Sequence, residues 1–181
     1  MRIFVFSDTH GDISGMDLVL SKTTPDVMIH CGDGADDATE IQRKYPDIGV
    51  HMVRGNYGDD NHAALEQEKF LKIMGHTIFI THGDKFNVYN ESVTKSNPEN
   101  EIIKYARQHG ANIVLHGHTH LATFSFDSGI YLLNPGSASL KKGYDYKPSF
   151  GCIELYETNA VFKILSVEVF EKLAPDNQKT R

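Results

Sequence analysis

The chain has 181 residues, of which 40% are hydrophobic and 23% are charged, and its formal net charge is −6. This length and composition favour one globular domain with a substantial apolar core. The negative charge provides no long-range attraction for nucleic acid or for an anionic membrane surface, so any chemistry on phosphate has to come from a local site.

The two cysteines, Cys31 and Cys152, are far apart and form no CxxC pair. They therefore suggest neither a disulfide framework nor a thiolate zinc site, and they fit a reducing compartment. The N-terminal apolar run ends at Ser7, which is too early for a signal peptide, and no stretch approaches the ~20 apolar residues of a membrane span. We expect a soluble cytoplasmic protein.

The first half of the chain alternates strands with helices. Strands are predicted at residues 2–7, 27–30 and 48–56, and helices at 13–22 and 36–45. The first two strands show no polar alternation, which is typical of strands covered on both faces. Strands separated by helices imply right-handed crossovers and a parallel sheet.

After Glu68 the pattern changes to short strands separated by turn residues. Residues 69–84 predict a hairpin joined at Gly75 and His76, residues 87–97 a polar loop, and residues 98–109 a helix that Gly110 ends. Further strands are predicted at residues 112–115, 122–126, 129–137, 150–157 and 160–170. This half looks like antiparallel strand pairs, so we predict two sheets packed face to face with helices outside, forming one domain over residues 1–172 with a polar tail at 173–181.

Polar side chains capable of binding metal follow the carboxyl ends of five predicted strands. In open α/β sheets, that edge is where ligands bind. His118 and His120 alternate along the chain, so in an extended segment both point the same way. The candidate residues are Asp8, His10, Asp33, Asn56, His82, His118 and His120.

Carboxylate, amide and imidazole groups together suit Mn²⁺, Fe, Zn²⁺, Co²⁺ or Ni²⁺. Seven ligands exceed the need of one tetrahedral ion but suit two ions that share a bridging carboxylate. Two divalent ions leave such a site with net positive charge, open to an anion, and can activate water for attack on phosphorus. The pattern therefore predicts phosphoester hydrolysis.

These residues fall in five short motifs: Asp8-x-His10, Gly32-Asp33, Gly55-Asn56, His82-Gly83 and Gly117-His118-Thr119-His120. In this order, and each after a predicted strand, they resemble the calcineurin-like metallophosphoesterases. The short chain is similar to their small YfcE-like phosphodiesterase branch of bacteria and archaea, and the resemblance runs from Met1 to about Phe170. It implies an α/β fold that is a four-layer αββα sandwich of two mixed β-sheets flanked by helices.

The resemblance also implies an activity, that of a dinuclear phosphodiesterase in which a metal-bridging hydroxide attacks phosphorus directly. Two divalent transition-metal ions are expected as cofactors, Mn²⁺ first, with Ni, Zn, Fe or Co as alternatives. The residues that it implies as catalytic are Asp8, His10, Asp33, Asn56 and His82. The metal ligands that it implies are Asp8, His10 and His120 on one ion, Asn56, His82 and His118 on the other, and Asp33 bridging. It further covers the turn Asn134-Pro135-Gly136-Ser137 near the site.

One position departs from the family pattern. Many members have a histidine after Gly-Asn that assists the transition state or the leaving group, whereas this chain has Tyr57. We therefore expect a preference for substrates with good leaving groups, or a heavier dependence on the metals.

Alternatives to this interpretation remain open. A phosphomonoesterase could use the same metal site, and the same fold serves as a non-catalytic scaffold in a eukaryotic trafficking subunit that resembles the family. A small phosphodiester is the expected partner; the family suggests a homo-oligomer, a dimer or tetramer. A membrane is not expected, and nucleic acid is disfavoured because the chain has no basic stripe with interleaved aromatics.

Other polar residues near the motifs have ordinary explanations. His116 shares the parity of His118 and stays an alternative ligand, although the motif begins at Gly117. Asp36 and Asp37 are expected to favour a helix N-terminus, with a place beside the metal ligands as an alternative for Asp36. Cys31 is expected to pack in the core. Surface or core positions are expected for His30, His51, His62, His76 and His109.

Overall fold

The structure is a computed structural model that describes residues 1–58, 64–86, 88, 98–141 and 147–173. Most of the predicted polar loop at 87–97, His62 and almost all of the predicted C-terminal tail lie outside the described residues. Within the described ranges, no helix is both long and apolar enough to cross a membrane.

Ten strands and three α-helices make up the described secondary structure, with short 3-10 helices at Asp84–Phe86 and Val167–Lys172. The helices are α1 (Ser14–Lys22), α2 (Ala35–Lys44) and α3 (Pro98–Gln108). The strands are β1 (Arg2–Phe6), β2 (Val27–His30), β3 (Gly49–Met52), β4 (Glu68–Ile73), β5 (His76–Thr81), β6 (Ile113–Leu115), β7 (Thr123–Asp127), β8 (Ile130–Asn134), β9 (Ser149–Leu155) and β10 (Ala160–Ser166).

The strands form two mixed five-stranded sheets. The first has the order β10-β9-β1-β2-β3, in which β1, β2 and β3 are parallel and β9 and β10 are antiparallel additions. The second has the order β4-β5-β6-β8-β7, in which β5, β6 and β8 are parallel and the two edge strands are antiparallel. The parallel strands carry their following loops to one edge of each sheet.

The second half of the chain was predicted to form antiparallel strand pairs, which was wrong for β5, β6 and β8, because they pair in parallel. The late strands β9 and β10 do not stay with the other strands of that half. These late strands join the first sheet, where Ile3 of β1 lies opposite Ile153 of β9. Without β9, one edge of the buried strand β1 would leave its backbone N–H and C=O groups unpaired, which is costly away from water. The pairing therefore completes the hydrogen bonding of β1.

Three apolar clusters define four layers. One cluster lies between the sheets and joins Ile3, Val5 and Ile29 of the first sheet to Ile78 and Leu115 of the second. The second cluster packs α1, α2 and the 3-10 helix Val167–Lys172 on the outer face of the first sheet. The third packs α3 on the outer face of the second sheet. The predicted αββα sandwich is confirmed.

The predicted strand over residues 160–170 is too long. Strand β10 ends at Ser166, and a 3-10 helix follows. Val167 and Phe170 are both buried, and Phe170 packs its ring on Phe150 with centroids 5.4 Å apart. Residues three apart lie on one side of a 3-10 helix, so this spacing allows both side chains to enter the same core.

The hairpin between β4 and β5 turns one residue earlier than predicted. Met74 and Gly75 form the turn, with φ values of 48° and 80°, and His76 already belongs to β5. Two consecutive positive φ angles match the twist of the flanking strands, and glycine takes the second of them without steric cost.

Candidate metal centre

The seven predicted ligands lie in loops that follow β1, β2, β3, β5 and β6. Backbone hydrogen bonds join these loops to one another: Asp8 N–H donates to Gly32 O at 3.1 Å, and His10 N–H donates to Asp33 O at 3.0 Å. Gly117 N–H donates to His82 O at 2.9 Å. The loops therefore meet at one edge of the two sheets, as expected for a ligand site in an open α/β sheet.

The first group of donors contains Asp8, His10 and His120, whose ligating atoms all lie within 4.8 Å of one another. The Nε2 atoms of His10 and His120 face each other at 3.1 Å, and His120 Nε2 lies 3.4 Å from Asp8 Oδ1. Two imidazoles and a carboxylate that converge in this way are suited to hold a divalent transition metal.

The second group contains Asp8, Asp33 and His82, again with ligating atoms within 4.8 Å of one another. His82 Nε2 lies 3.3 Å from Asp33 Oδ2 and 3.1 Å from His118 Nδ1. His82 Nδ1–H donates to the Cys31 carbonyl at 2.8 Å, which turns Nε2 toward the carboxylates. A histidine anchored through its other nitrogen is characteristic of metal ligands.

Asp33 stands between the two pairs of histidines. Its Oδ2 is 3.3 Å from His82 Nε2 and 3.8 Å from His10 Nε2, while its Oδ1 accepts a 2.8 Å hydrogen bond from the Tyr57 N–H. The carboxylate is thus in reach of one imidazole from each pair.

Asn56 is the one predicted ligand with an exposed side chain. Its backbone is held close to Asp33 by both neighbours, since Tyr57 N–H donates to Asp33 and Gly55 packs directly on the carboxylate. A Cβ atom at Gly55 would lie 2.0 Å from Asp33 Oδ1, so only glycine allows this approach. The structure brings Asn56 to the rim of the site.

The backbone at the site is strained. Seven described residues other than glycine have positive φ, and five of them are predicted ligands: Asp8, His10, Asp33, His118 and His120. A conformation of this kind costs of order 1–3 kcal/mol and persists where the surrounding structure enforces it, commonly at functional sites. The other two, Met74 and Ser128, lie in hairpin turns.

Burial controls the charge of the carboxyl and imidazole groups. Burial raises the pKa of Asp8 to about 7, against the opposing effects of His82 and of hydrogen bonds. For His82, burial disfavours the charged ring, but the hydrogen bond to Asp33 and the charges of Asp8 and Asp33 prevail and raise its pKa to about 9. A buried carboxylate of this kind gains strongly from a cation placed beside it.

The other three histidines are held neutral. Burial lowers the pKa of His10 and of His118, and burial together with the charge of His10 lowers the pKa of His120 to about 4. A metal ligand has to be a neutral imidazole, so these rings need no deprotonation to bind one. The donor types and their convergence fit divalent cations. Of the four histidines, His82 is the one that has to release a proton to bind a metal, because its pKa is raised.

Asp37 is a supporting residue that the sequence pattern did not reveal. It was expected to favour the N-terminus of a helix, and it does lie in the first turn of α2. Its buried carboxylate, however, accepts hydrogen bonds from Thr9 Oγ1 at 2.6 Å and from Gly11 N–H at 2.8 Å. These bonds fix the loop that carries Asp8 and His10. Asp36, the residue considered for a supporting position, is exposed.

The predicted turn at residues 134–137 supports the site from the other side. Ser137 Oγ donates to the backbone oxygen of Asp8 at 2.7 Å. Asn134 Nδ2 donates to Gly117 O at 2.9 Å and to Thr119 Oγ1 at 3.0 Å. The turn therefore positions both Asp8 and the loop that contains His118.

Lys141 places a positive charge at the rim. Its Nζ donates to the backbone oxygen of His10, and its charge contributes to the lowered pKa of His10. Asp12 ties the two loops together, because its Oδ2 accepts hydrogen bonds from Ser139 Oγ at 3.0 Å and from Leu140 N–H at 2.8 Å. A lysine after a run of small polar residues carried no motif that would have identified it.

Two residues beside the site are not among the converging donors of the described chain. His116 is buried, with Nδ1 3.2 Å from Gly117 O, and burial lowers its pKa to about 4. Cys31 is fully buried, and burial raises the pKa of its thiol well above the usual range. Neither residue belongs to the two groups described above.

Comparison with curated proteins gives relatives along most of the chain. A probable metallophosphoesterase of Methanocaldococcus jannaschii is 30% identical over 150 residues, which cover 78% of this chain and 70% of the relative. The probable metallophosphoesterase YsnB of Bacillus subtilis is 27% identical over 145 residues, which cover 78% of each chain.

Solved structures share the fold. A predicted phosphoesterase of Streptococcus pneumoniae superposes with a TM-score of 0.70 at 24% identity, covering 92% of this chain and 90% of that one. Vps29 of Entamoeba histolytica in complex with Zn²⁺ gives a TM-score of 0.67 at 23% identity, covering 92% and 99%. An archaeal phosphodiesterase gives 0.63 at 20% identity, covering 91% and 100%.

The family model of the calcineurin-like phosphoesterase superfamily domain matches residues 1–158. The match includes all five motifs and all seven predicted ligands. Together with the two-sheet fold and the relatives, it shows that this chain belongs to the calcineurin-like phosphoesterase superfamily.

Proposed function

We propose that this protein is a phosphodiesterase that uses two divalent transition-metal ions. The observation that carries the proposal is the position of Asp33, whose Oδ2 lies 3.8 Å from His10 Nε2 and 3.3 Å from His82 Nε2. A carboxylate between two pairs of imidazoles is suited to be shared by two ions, and paired ions are a common solution for phosphoryl transfer.

In this proposal the ligands divide into two sets that share Asp33. One set is Asp8, His10 and His120, and the other is Asn56, His82 and His118. When bound, the two ions supply Lewis acidity: they activate water and neutralise the charge that develops on the phosphoryl oxygens. Mn²⁺ is the metal that we expect to support activity first, because the mixed oxygen and nitrogen donors suit it.

The side chains hold this arrangement ready before substrate arrives. The hydrogen bond from His82 Nδ1–H to the Cys31 carbonyl fixes the ring orientation, and the Tyr57 N–H holds Asp33 from the opposite side. The ammonium group of Lys141 at the rim adds positive charge that favours an anionic substrate.

Hydrolysis is expected to proceed in one step, without a phosphoryl-enzyme intermediate. The thiol nearest the ligands, Cys31, is fully buried, and burial raises its pKa well above the usual range, so it is not available as a nucleophile. Because Tyr57 stands where many family members have a histidine, the chain lacks that imidazole, and diesters with good leaving groups should react faster.

Support for a diester substrate comes from the archaeal phosphodiesterase that shares the fold. A non-catalytic scaffold is the second candidate, because Vps29 shares the fold and is found in complex with Zn²⁺. Metal binding alone therefore does not separate the two functions. The complete set of seven ligands favours the enzyme.

The test is an assay of metal-depleted protein with added Mn²⁺, Ni²⁺, Zn²⁺ or Mg²⁺. Cleavage of bis(p-nitrophenyl) phosphate is compared with cleavage of p-nitrophenyl phosphate, and Asp33→Asn serves as the inactive variant. Metal-dependent diester cleavage that Asp33→Asn loses supports the proposal. Faster cleavage of the monoester would assign a phosphomonoesterase, and metal-loaded protein that cleaves neither compound would favour the scaffold.

A further inference from the structure

Tyr57 is the most exposed of the large hydrophobic side chains that the structure describes, with 69% of its surface accessible. A single exposed aromatic side chain is common on protein surfaces and needs no explanation by itself. This one, however, directly follows the predicted ligand Asn56 and lies at the rim of the metal centre.

Two contacts fix Tyr57 to the site. Its backbone N–H donates to Asp33 Oδ1 at 2.8 Å, and its ring packs on the ring of His10 at a centroid distance of 5.6 Å and an interplanar angle of 64°. One contact reaches the carboxylate between the histidine pairs, and the other reaches a ligand of the first group. The ring is therefore held beside the reacting centre while most of its surface faces solvent.

We propose that Tyr57 binds a planar aromatic ester group of the substrate, so that the preferred substrate is a small phosphodiester carrying an aryl group or a nucleobase. The inference rests on the proposed function, because it places the phosphate at the metal centre. It adds the chemical class of the organic group that the site selects.

The geometry of a diester makes this recognition feasible. A phosphodiester carries two organic groups, of which one leaves and one stays on the phosphate. In this inference the group that stays on the phosphate extends outward past His10 and meets the tyrosine ring. Two aromatic rings attract each other in offset or edge-to-face arrangements. Every nucleobase and aryl group offers such a ring, so the contact selects planarity rather than one particular substituent.

The recognition uses the ring and not the phenol hydroxyl. The proposed contact is one between aromatic rings, of the kind that the Tyr57 ring already makes with His10, and phenylalanine offers the same ring. Phenylalanine at this position should therefore preserve the preference, whereas alanine should remove it.

The first test compares two diesters with the same leaving group: bis(p-nitrophenyl) phosphate, which retains an aryl group, and methyl p-nitrophenyl phosphate, which retains a methyl group. The quantity measured is the ratio of kcat/KM for the aryl diester to that for the methyl diester. Tyr57→Ala should lower this ratio about 5-fold, the size expected for one lost aromatic contact, and Tyr57→Phe should keep it.

The matched control is Tyr156→Ala, which removes another exposed tyrosine ring. Tyr156 follows β9, whose last residues pair with the beginning of β1 at the end of the sheet remote from the metal centre. This variant should leave the ratio unchanged.

The second test measures binding instead of turnover. Titration calorimetry of the metal-loaded protein compares phenylphosphonate with methylphosphonate, which share one anionic head group. Wild-type protein should bind the phenyl compound more tightly, and Tyr57→Ala should lose that advantage.

The outcomes separate this inference from the proposed function. An active wild-type protein whose aryl-to-methyl ratio is unchanged in Tyr57→Ala would overturn the inference alone, as would an equal loss of activity on both diesters. A lowered aryl-to-methyl ratio in Tyr57→Phe would assign the effect to the hydroxyl group, and it would also overturn the inference. Wild-type protein that cleaves neither diester and binds neither phosphonate would overturn the proposed function, and the inference with it.

Discussion

Asp37 and Thr9 are joined by a 2.6 Å hydrogen bond that connects helix α2 to the loop after β1. The same carboxylate oxygen accepts the N–H of Gly11 at 2.8 Å. The loop between these contacts carries His10, and Asp8 precedes it. The position of two predicted metal ligands therefore depends on a buried carboxylate that is outside the two groups of converging donors among the described residues.

Replacing Asp37 by alanine should weaken both folding and metal binding. The change removes the hydrogen bonds that the Thr9 hydroxyl and the Gly11 N–H make to a carboxylate, at a cost of about 1–3 kcal/mol in the free energy of unfolding. Loss of a group that orients metal ligands typically lowers metal affinity roughly 10- to 100-fold. Urea unfolding and competition with a chromogenic chelator measure the two effects.

Asp36→Ala is the matched control, because it removes the same charge from the exposed neighbouring position. Its loss of unfolding free energy and of metal affinity should be smaller than that of Asp37→Ala. Equal effects of the two substitutions would show that charge near the start of α2, and not the contact with Thr9, is what matters.

Gly55→Ala should displace the Asp33 carboxylate. A Cβ atom at this position would lie 2.0 Å from Asp33 Oδ1 and 2.3 Å from Asp33 N, so either the carboxylate or the loop has to move. We expect metal affinity to fall roughly 10-fold or more in the same chelator competition. Gly49→Ala, where the nearest atom would lie 3.7 Å away, is the control and should bind metal as wild type does. Unchanged affinity in Gly55→Ala would argue against Asp33 as a ligand.

Acid pH should destabilise the protein partly through Asp17, which lies away from the metal centre on α1. Burial raises its pKa, but hydrogen bonds from Lys44 and Tyr45 outweigh this and hold the pKa below 3.8. The folded state therefore binds the proton less readily than the unfolded state. The contribution of Asp17 is present above pH 3.8 and is lost as the pH falls through the folded-state pKa.

Asp17→Asn should accordingly be less stable than wild type at neutral pH, by no more than about 1 kcal/mol for a partly exposed ion pair. The difference between the two proteins should shrink as the pH is lowered below 4. Urea unfolding from pH 7 to pH 3 measures it, and a difference that stays constant over this range would contradict the assignment.

Local patterns in the sequence identified most elements. Strands β1 and β2 are continuous apolar runs, helices α1 and α2 have apolar residues at helical spacing, and turn residues separate them. The partners of β9 and β10 were not predictable in this way, since which edge a strand joins depends on contacts far apart in sequence. The alternating apolar residues of 166–170 favoured a strand, but the spacing of Val167 and Phe170 suited a 3-10 helix once the core around Phe150 was available.

The convergence of the predicted ligands was largely predictable, because these residues follow strand ends in short motifs. The supporting contacts were not, since Asp37, Ser137 and Lys141 act through tertiary hydrogen bonds to Thr9, to Asp8 and to His10 that no local pattern encodes.

The most direct test of the central claim is the number of metal ions held by each chain. The protein is first depleted of metal, then reconstituted with Mn²⁺ and freed of excess ion. Its metal content is measured by inductively coupled plasma mass spectrometry, and Asp33→Asn is treated in the same way. The proposed dinuclear site predicts two ions per chain in the wild type and fewer in Asp33→Asn at an unchanged circular dichroism spectrum. One ion or none in the wild type, or two ions in Asp33→Asn, would contradict a shared carboxylate between two metals.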